Sequence, residues 1–354
     1  MGFTSYQKIQ EEYIYTNHQY NLILDEKSKI EYIISELSKR FSTIESEETA
    51  LACEVAATCL PAGLLSLLKV VASGYVRSGY VLIRGFEIND ETIGDSPQHW
   101  DQPWHHRPYL REELFQILLS SAVGGIFGWR TQENGRFLRH IVPMESVKNE
   151  QLGGSSATTL MWHTEEAFHT GRADFFTLMC YRNRERATTN IACVDDLDLC
   201  ETMLEILRQP RFTILPDKSH TPVENTSEQW KLNAEAFGMI QKMIENPQPI
   251  PLIHGRNDMP LMRVDQAFVA PIDGDKEAAI ALATLHDALD RAAIHLQMEP
   301  GDIVLLDNLR VAHGRSIYQP DYGPKHRWMR RVNIANGRRT NFGLRDSKKI
   351  RVML

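Results

Sequence analysis

The chain has 354 residues, with 39 lysines and arginines against 46 aspartates and glutamates, a formal charge of −7. Neutralising a phosphate backbone takes a basic face, so this balance excludes nucleic acid as a partner and suits a cationic small molecule better. With 42% hydrophobic residues the chain can bury a sizeable core, and no run reaches the roughly 18 apolar residues of a membrane span.

The opening "MGFTSYQKIQEEYIY" lacks the apolar core of a signal peptide, so a cytoplasmic location and no membrane partner are expected. The first 78 or so residues read as mainly helical. Charges interleave with apolar positions in "DEKSKIEYIISELSKRF", and small and apolar residues fill "EETALACEVAATCLPAGLLSLLKVVAS", which Pro61 should break. "YVLIRGF" then suits a buried strand. "REELFQILLSSAVGGIFG" predicts a helix from Arg111 to about Val123, ended by Gly124 and Gly125, with the glycines permitting a turn ahead of Gln132.

From there to Leu197 short strands and loops dominate, including "FFTLMCYR" and "TTNIACV". "DLDLCETMLEILRQ", "EQWKLNAEAFGMIQKMIE" and "DKEAAIALATLHDALDRAAIHLQM" read as helices, while "GDIVLLDN" and "WMRRVNIAN" return to strand. No repeat, low-complexity tract or linker interrupts the chain. One domain over 1–354 is therefore expected, of α+β class: a helical part at 1–78, a β core with helical insertions at 79–340, and a tail at 341–354. Cys53, Cys59, Cys180, Cys193 and Cys200 are odd in number and form no CxxC pair. They read as buried free thiols, with no disulfide framework or thiolate zinc site.

The segment "MWHTEEAFH" holds the first chemical signal. In extended backbone, residues two apart share a face, so His163 and Glu165 can reach one ion while Thr164 points away. A histidine near a carboxylate is commonplace by itself. A facial triad needs a second imidazole from a distant strand, leaving positions open for substrate and oxygen. "GDIVLLDNLRVAHGRS" supplies His313 just after an apolar strand and a tight turn. In "KHRWMRRVNIANGRR" Arg327, Met329 and Arg331 alternate onto one face of a strand, and a guanidinium fork matches a carboxylate. Arg330, Arg338 and Arg339 read instead as a solvated face. His105 and His106 in "WHHRPY" lack a carboxylate at ligand spacing, and His169 reads as a loop histidine.

"WHTEEAFH", followed much later by "LLDNLRVAHGR" and a basic strand, resembles the clavaminate synthase-like branch of the iron(II)/2-oxoglutarate-dependent oxygenases, and within it the free amino acid hydroxylases. The resemblance runs from about Tyr80 to Arg339. It implies a double-stranded β-helix, or jelly roll, surrounded by helices. It also implies iron(II), with 2-oxoglutarate and O2 as cosubstrates, and His163, Glu165 and His313 as iron ligands and catalytic centre. The acid at Glu165 favours hydroxylation over halogenation, because related halogenases carry a small residue there. By the same match Arg327 anchors the distal carboxylate of 2-oxoglutarate, helped by the hydroxyl of Thr189 or its neighbour Thr188.

For substrate, the resemblance gives Arg331 to the carboxylate of an amino acid and Gln132 and Glu165 to its ammonium. "LPDKSHT" resembles the family's Asp-x-Ser element, making Asp217 and Ser219 candidates for a distal cation, and "LMRVDQAF" contributes Asp265. Asp217 also fits a turn residue, as Asp258 does more plainly, and Gln132 also fits an ordinary loop. Arginine hydroxylases carry a close pair of acids where Asp265 stands alone, so a compact ammonium, lysine, is expected ahead of arginine. Hydroxylation at C3 and at C4 both stay open, and the sequence states no oligomeric form. Competing readings are an oxygenase of a carrier-tethered amino acid, a desaturase of the same fold, a non-catalytic metal-binding jelly roll, and a hydrolytic zinc enzyme.

Overall fold

The computed structural model of the chain describes residues 18–100, 108–221, 231, 233–336, 345–346 and 349–353. Among them the helices are α1 (Leu24–Ser38), α2 (Glu47–Ala57), α3 (Ala62–Ala72), α4 (Leu110–Val123), α5 (Glu201–Leu207), α6 (Ala234–Glu245) and α7 (Lys276–Arg291). The first strands are β1 (Gln19–Asn21), β2 (Tyr80–Arg84), β3 (Gly125–Trp129), β4 (Leu138–Ile141), β5 (Leu160–His163), β6 (Phe175–Arg182), β7 (Thr188–Cys193) and β8 (Phe212–Ile214). They continue with β9 (Ile253–Arg256), β10 (Met259–Met262), β11 (Val269–Pro271), β12 (Ile294–Gln297) and β13 (Ile303–Asp307). The last are β14 (Val311–Arg315), β15 (Trp328–Ala335), β16 (Arg345–Asp346) and β17 (Lys349–Met353).

Helix and strand are mixed, as an α+β reading expects. A nine-stranded sheet runs β1-β2-β13-β6-β15-β3-β17-β16, with β4 also beside β15, and a four-stranded sheet runs β12-β7-β14-β5. Two ribbons, β10-β9 and β11-β8, complete the described strands.

The period of two along β6 explains the layering. Phe175, Met179 and Tyr181 pack into a core shared with α1 to α4, while Phe176, Leu178 and Cys180 pack against Ile191, Cys193 and Val311 of the smaller sheet. β2 and β13 divide in the same way, with Val81, Ile83, Ile303 and Leu305 on the helical side and Tyr80, Leu82, Val304 and Leu306 between the sheets. On the far side of the smaller sheet, Ala281, Leu285 and Leu289 of α7 share a core with Ala192 and Ala312. Helix starts are capped locally: Ser46 accepts from Thr49 N at 3.1 Å, and Asp275 from Ala278 N at 2.9 Å.

Pro61 breaks the second helical stretch as expected, with α2 and α3 bent by 112°. Among the described residues no single helix is long and apolar enough to cross a membrane.

Several expectations are corrected. "IHLQ", read as the end of a helix, is β12, antiparallel to β7 from Ile294↔Ile191 to Gln297↔Thr188. Sheet pairing overrides the local apolar pattern that extends α7. Part of the presumed tail is β17, parallel to β3 with Val352↔Gly128. Cys53, Cys180 and Cys193 are buried, but Cys59 and Cys200 are exposed. Arg330 is not solvated: it is 1% exposed and pairs with buried Glu113 at 3.1 Å, because even-numbered residues of β15 face α4. Arg338, Arg339, His105 and His106 lie outside the described residues, as does the start of the helix expected from "EQWKLN".

The glycines after α4 open a strand, not a turn, and Gly128 shows why. A Cβ there would meet the carbonyl oxygens of Arg136 and Gly135 at 2.4 Å. Gly128→Ala is expected to lower stability by about 1–3 kcal/mol, as overpacking does. Urea denaturation checks this, and an unchanged midpoint would show that the neighbouring chain yields freely.

Candidate active site

His163 ends β5 and His313 lies in the middle of β14, directly opposite it in the ladder. Their rings approach to 4.1 Å between centroids. Glu165 follows two residues after His163, and its backbone N–H is held by Asn308 Oδ1 at 2.7 Å. One donor atom each from His163, Glu165 and His313 falls within 4.8 Å of the others, the spacing of a shared ion.

Protonation and hydrogen bonding fit such an ion. His163 donates from Nδ1 to the Met161 carbonyl at 2.9 Å, which leaves Nε2 as the ligand atom. His313 Nε2 lies 3.2 Å from Glu165 Oε1, so imidazole and carboxylate already share a point. Burial opposes ionisation of Glu165, yet Arg331 and then His313 hold its carboxyl below the usual range. Burial lowers His163, and His313 lowers it further, which favours the neutral ligating form. Two imidazoles and one carboxylate leave room on a six-coordinate iron(II) for other ligands.

These groups line a cavity of about 140 Å³. Of the residues singled out in the sequence, Gln132, Thr189, Asp217, Ser219, Asp265, Arg327 and Arg331 all border it with the triad. Thr188 does not: its hydroxyl donates to Asn190 at 2.9 Å on the other face of β7. Asp258 is exposed and pairs with Arg256 at 2.6 Å, as a turn residue does. His169 is fully buried and stands edge-on to Trp129, outside the triad. Burial lowers it to about 4.

The cavity lining carries charges of both signs. Arg327 is 4% exposed, its Nε has no hydrogen-bond partner, and its guanidinium forms no ion pair among the described residues. Arg315 lies nearby, held by Ser155 Oγ at 3.1 Å and the Thr158 carbonyl at 3.0 Å. Both guanidinium groups lie over the ring of Tyr318, at 4.8 Å for Arg315 and 5.7 Å for Arg327. Burial and then Arg327 pull Arg315 down to about 10. Two buried guanidinium groups that pair with no carboxylate among the described residues call for an anion of the size of a dicarboxylate's free end.

A second set of lining residues is acidic. Burial, then Asp217, push Asp265 up to about 7 against the pull of His163. Burial also pushes Glu166 up to about 7, helped by Glu165 and Asp217 and opposed by Arg331. Asp217 accepts from Ser219 N at 2.7 Å, and Ser219 Oγ accepts from Gln132 Nε2 at 2.6 Å, so these three form one connected wall. Arg331 joins the wall to the metal site, donating to Glu165 and, at 3.0 Å, to Glu166.

Three charged cavity residues, Arg315, Glu166 and Arg139, were not singled out as site residues in the sequence. Arg315 is two positions from His313 on the same strand, so the alternation that links Arg327 to Arg331 could have found it. Glu166 and Arg139 carried no such signal. Arg139 reaches Gln132 and, at 3.1 Å, Glu133 from β4.

A histidine, histidine and carboxylate centre beside an arginine-lined anion pocket defines a non-haem iron oxygenase that takes a keto acid cosubstrate. Comparison with known proteins gives the family. Residues 240–333 match the family described as taurine catabolism dioxygenase TauD, TfdA. Enduracididine beta-hydroxylase of Streptomyces hygroscopicus is 31% identical over 338 residues, covering 93% of this chain and 97% of its own. L-ornithine/L-arginine 3-hydroxylase of Catenulispora acidiphila is 30% identical, covering 95% and 99%. The crystal structure of the non-haem iron oxygenase OrfP with Fe, succinate and (3S)-hydroxy-L-Arg superposes with a TM-score of 0.87 at 32% identity, covering 95% and 99%.

The chain belongs to the clavaminate synthase-like, TauD/TfdA family of iron(II)/2-oxoglutarate-dependent oxygenases. It is a 2-oxoglutarate-dependent dioxygenase of the amino acid hydroxylase branch, with iron and 2-oxoglutarate as cofactor and cosubstrate. The expected order of lysine ahead of arginine finds no support here. The L-lysine 3-hydroxylase of Catenulispora acidiphila is 27% identical over 81% of this chain, below the arginine and enduracididine enzymes in both measures.

Proposed function

We propose that the protein hydroxylates a free L-amino acid with a basic tail, arginine or an ornithine-like or guanidine-bearing relative of it, at C3. The observation that carries this reading is the wall of Glu166, Asp217 and Asp265 in the same cavity as the triad and Arg331. A cationic tail fits three clustered acids, and an α-carboxylate fits a guanidinium fork. The absence of a second acid beside Asp265 had argued for a compact ammonium, but Asp217 and Glu166 supply negative charge from other segments. The relatives that hydroxylate arginine and enduracididine point the same way. In this reading the paired sheets form a double-stranded β-helix, with the site between them at one end.

His163, Glu165 and His313 would hold iron(II), and Arg327 with the Thr189 hydroxyl would hold the far carboxylate of 2-oxoglutarate. Iron with its keto acid and O2 supplies the oxidising power that inserts one oxygen into a C–H bond, releasing carbon dioxide and succinate. The chain itself supplies orientation and a dry, shaped site. Arg331 grips the α-carboxylate, Gln132 and Glu165 face the ammonium, and Asp217, Ser219 and Asp265 receive the tail. Leu178, Ile141 and Met329 wall the cavity with apolar surface and keep water from the reacting carbon. Fixing both ends of the substrate decides which carbon approaches the metal.

Asp265→Asn tests the tail assignment. The variant is expected to lose several-fold to about tenfold in kcat/KM for arginine while neutral amino acids change little, since a charge-assisted contact becomes a neutral one. Relative rates on arginine, ornithine, lysine and asparagine provide the check. Identical ratios in the two proteins would remove Asp265 from specificity.

A further inference from the structure

Glu166 lends negative charge to the acidic wall, yet its side chain pairs with Arg331, and the geometry of that pair is unusual. In extended backbone, adjacent side chains point to opposite faces, so Glu165 and Glu166 should not meet one group. Here Glu166 has φ +48°, the left-handed region, where a residue with a long side chain is uncommon. Its carbonyl closes a turn by accepting from His169 N at 2.9 Å. Its side chain returns toward Glu165, and both carboxylates reach one guanidinium, Arg331 Nη1 donating to Glu165 and Nη2 to Glu166 at 3.0 Å. The Glu166 side chain is 2% exposed, and its Oε2 is buried without a hydrogen-bond partner.

We infer that Glu166 is a positioning residue: it clamps Arg331 so that the guanidinium keeps its orientation toward the amino acid's carboxylate when Glu165 is committed to the metal. The inference rests on the proposed role of Arg331. An arginine tethered only through Glu165 would depend on a carboxylate whose other oxygen belongs to the metal. The second tether is independent of that oxygen and fixes rotation about the fork. Strained backbone of this kind persists where the surroundings hold it and clusters at functional sites.

Calorimetric titration of arginine into protein loaded anaerobically with iron(II) and 2-oxoglutarate reads the clamp apart from turnover. Glu166→Ala is expected to weaken arginine binding about tenfold, the loss of one charge-assisted contact, with 2-oxoglutarate binding unchanged. Glu166→Gln keeps an acceptor for Arg331 and should restore most of the affinity. Unaltered arginine binding in Glu166→Ala, or equal weakening of arginine and 2-oxoglutarate, overturns the inference. Should the alanine variant not fold, Glu166→Asp, one methylene too short to reach, is read by the same criteria. If the wild-type protein binds no basic amino acid, the substrate reading fails, and crystal structures of wild type and Glu166→Ala still decide the clamp. A displaced Arg331 guanidinium in the variant supports it, and an unmoved one overturns it.

Discussion

Replacing His313 with alanine removes iron binding and turnover together. His313 contributes one of three protein donor atoms, all within 4.8 Å of one another, and no other described histidine or acid can take its place from β14. His169 is buried against Trp129, and His140, which also borders the cavity, accepts from Trp328 Nε1 at 2.8 Å. Loss of an outer partner to a metal ligand already costs roughly 10- to 100-fold in affinity or activity, so loss of a ligand should exceed that. Metal content after anaerobic reconstitution and succinate release on 2-oxoglutarate both report the effect. The fold should survive, because Val311 and Ala312, which precede His313, carry the apolar packing of β14. A variant that keeps stoichiometric iron would remove the triad assignment.

Arg327→Ala raises the 2-oxoglutarate requirement by about 100-fold, near the lower end of what two charge-assisted hydrogen bonds supply, while the iron content stays normal. A buried guanidinium without a counterion is costly, and here Arg315 adds a second positive charge to the same part of the cavity. A bound carboxylate would relieve both. Removing Arg327 from the empty protein also relieves their mutual repulsion, so thermal stability should not fall with the affinity. Saturation curves for 2-oxoglutarate in wild type and variant distinguish the roles. An unchanged KM would transfer the anchor to Arg315.

The parts of the fold legible in the sequence were those with a clear period. Runs of apolar, strand-favouring residues gave β6, β13 and β15, and two-residue alternation placed Arg327, Met329 and Arg331 on one face; the structure puts all three at the cavity. His163 and Glu165 were visible as a pair, but the partner His313 lies 150 residues away and was tied to them by the resemblance of the motifs, since no local pattern encodes a ladder contact. Arg330 was misjudged because the strand's hydrophobic period stops at a charged residue, and nothing in the strand says that α4 brings Glu113 to meet it. Glu166 was invisible for the opposite reason. Its position depends on one positive φ, and that angle reverses the alternation on which the reading relied. The order of lysine ahead of arginine rested on Asp265 standing without a second acid in its own segment, whereas acids from three separate segments, at 166, 217 and 265, border one cavity in the folded chain.

The most direct test is a reconstitution of the purified protein with iron(II), 2-oxoglutarate and O2, following succinate and product mass with arginine present or absent. The account predicts one succinate for each arginine that gains a single oxygen atom, with no gain when iron, 2-oxoglutarate or O2 is withheld. Arginine that remains unmodified while succinate forms at the same rate without it would contradict the account.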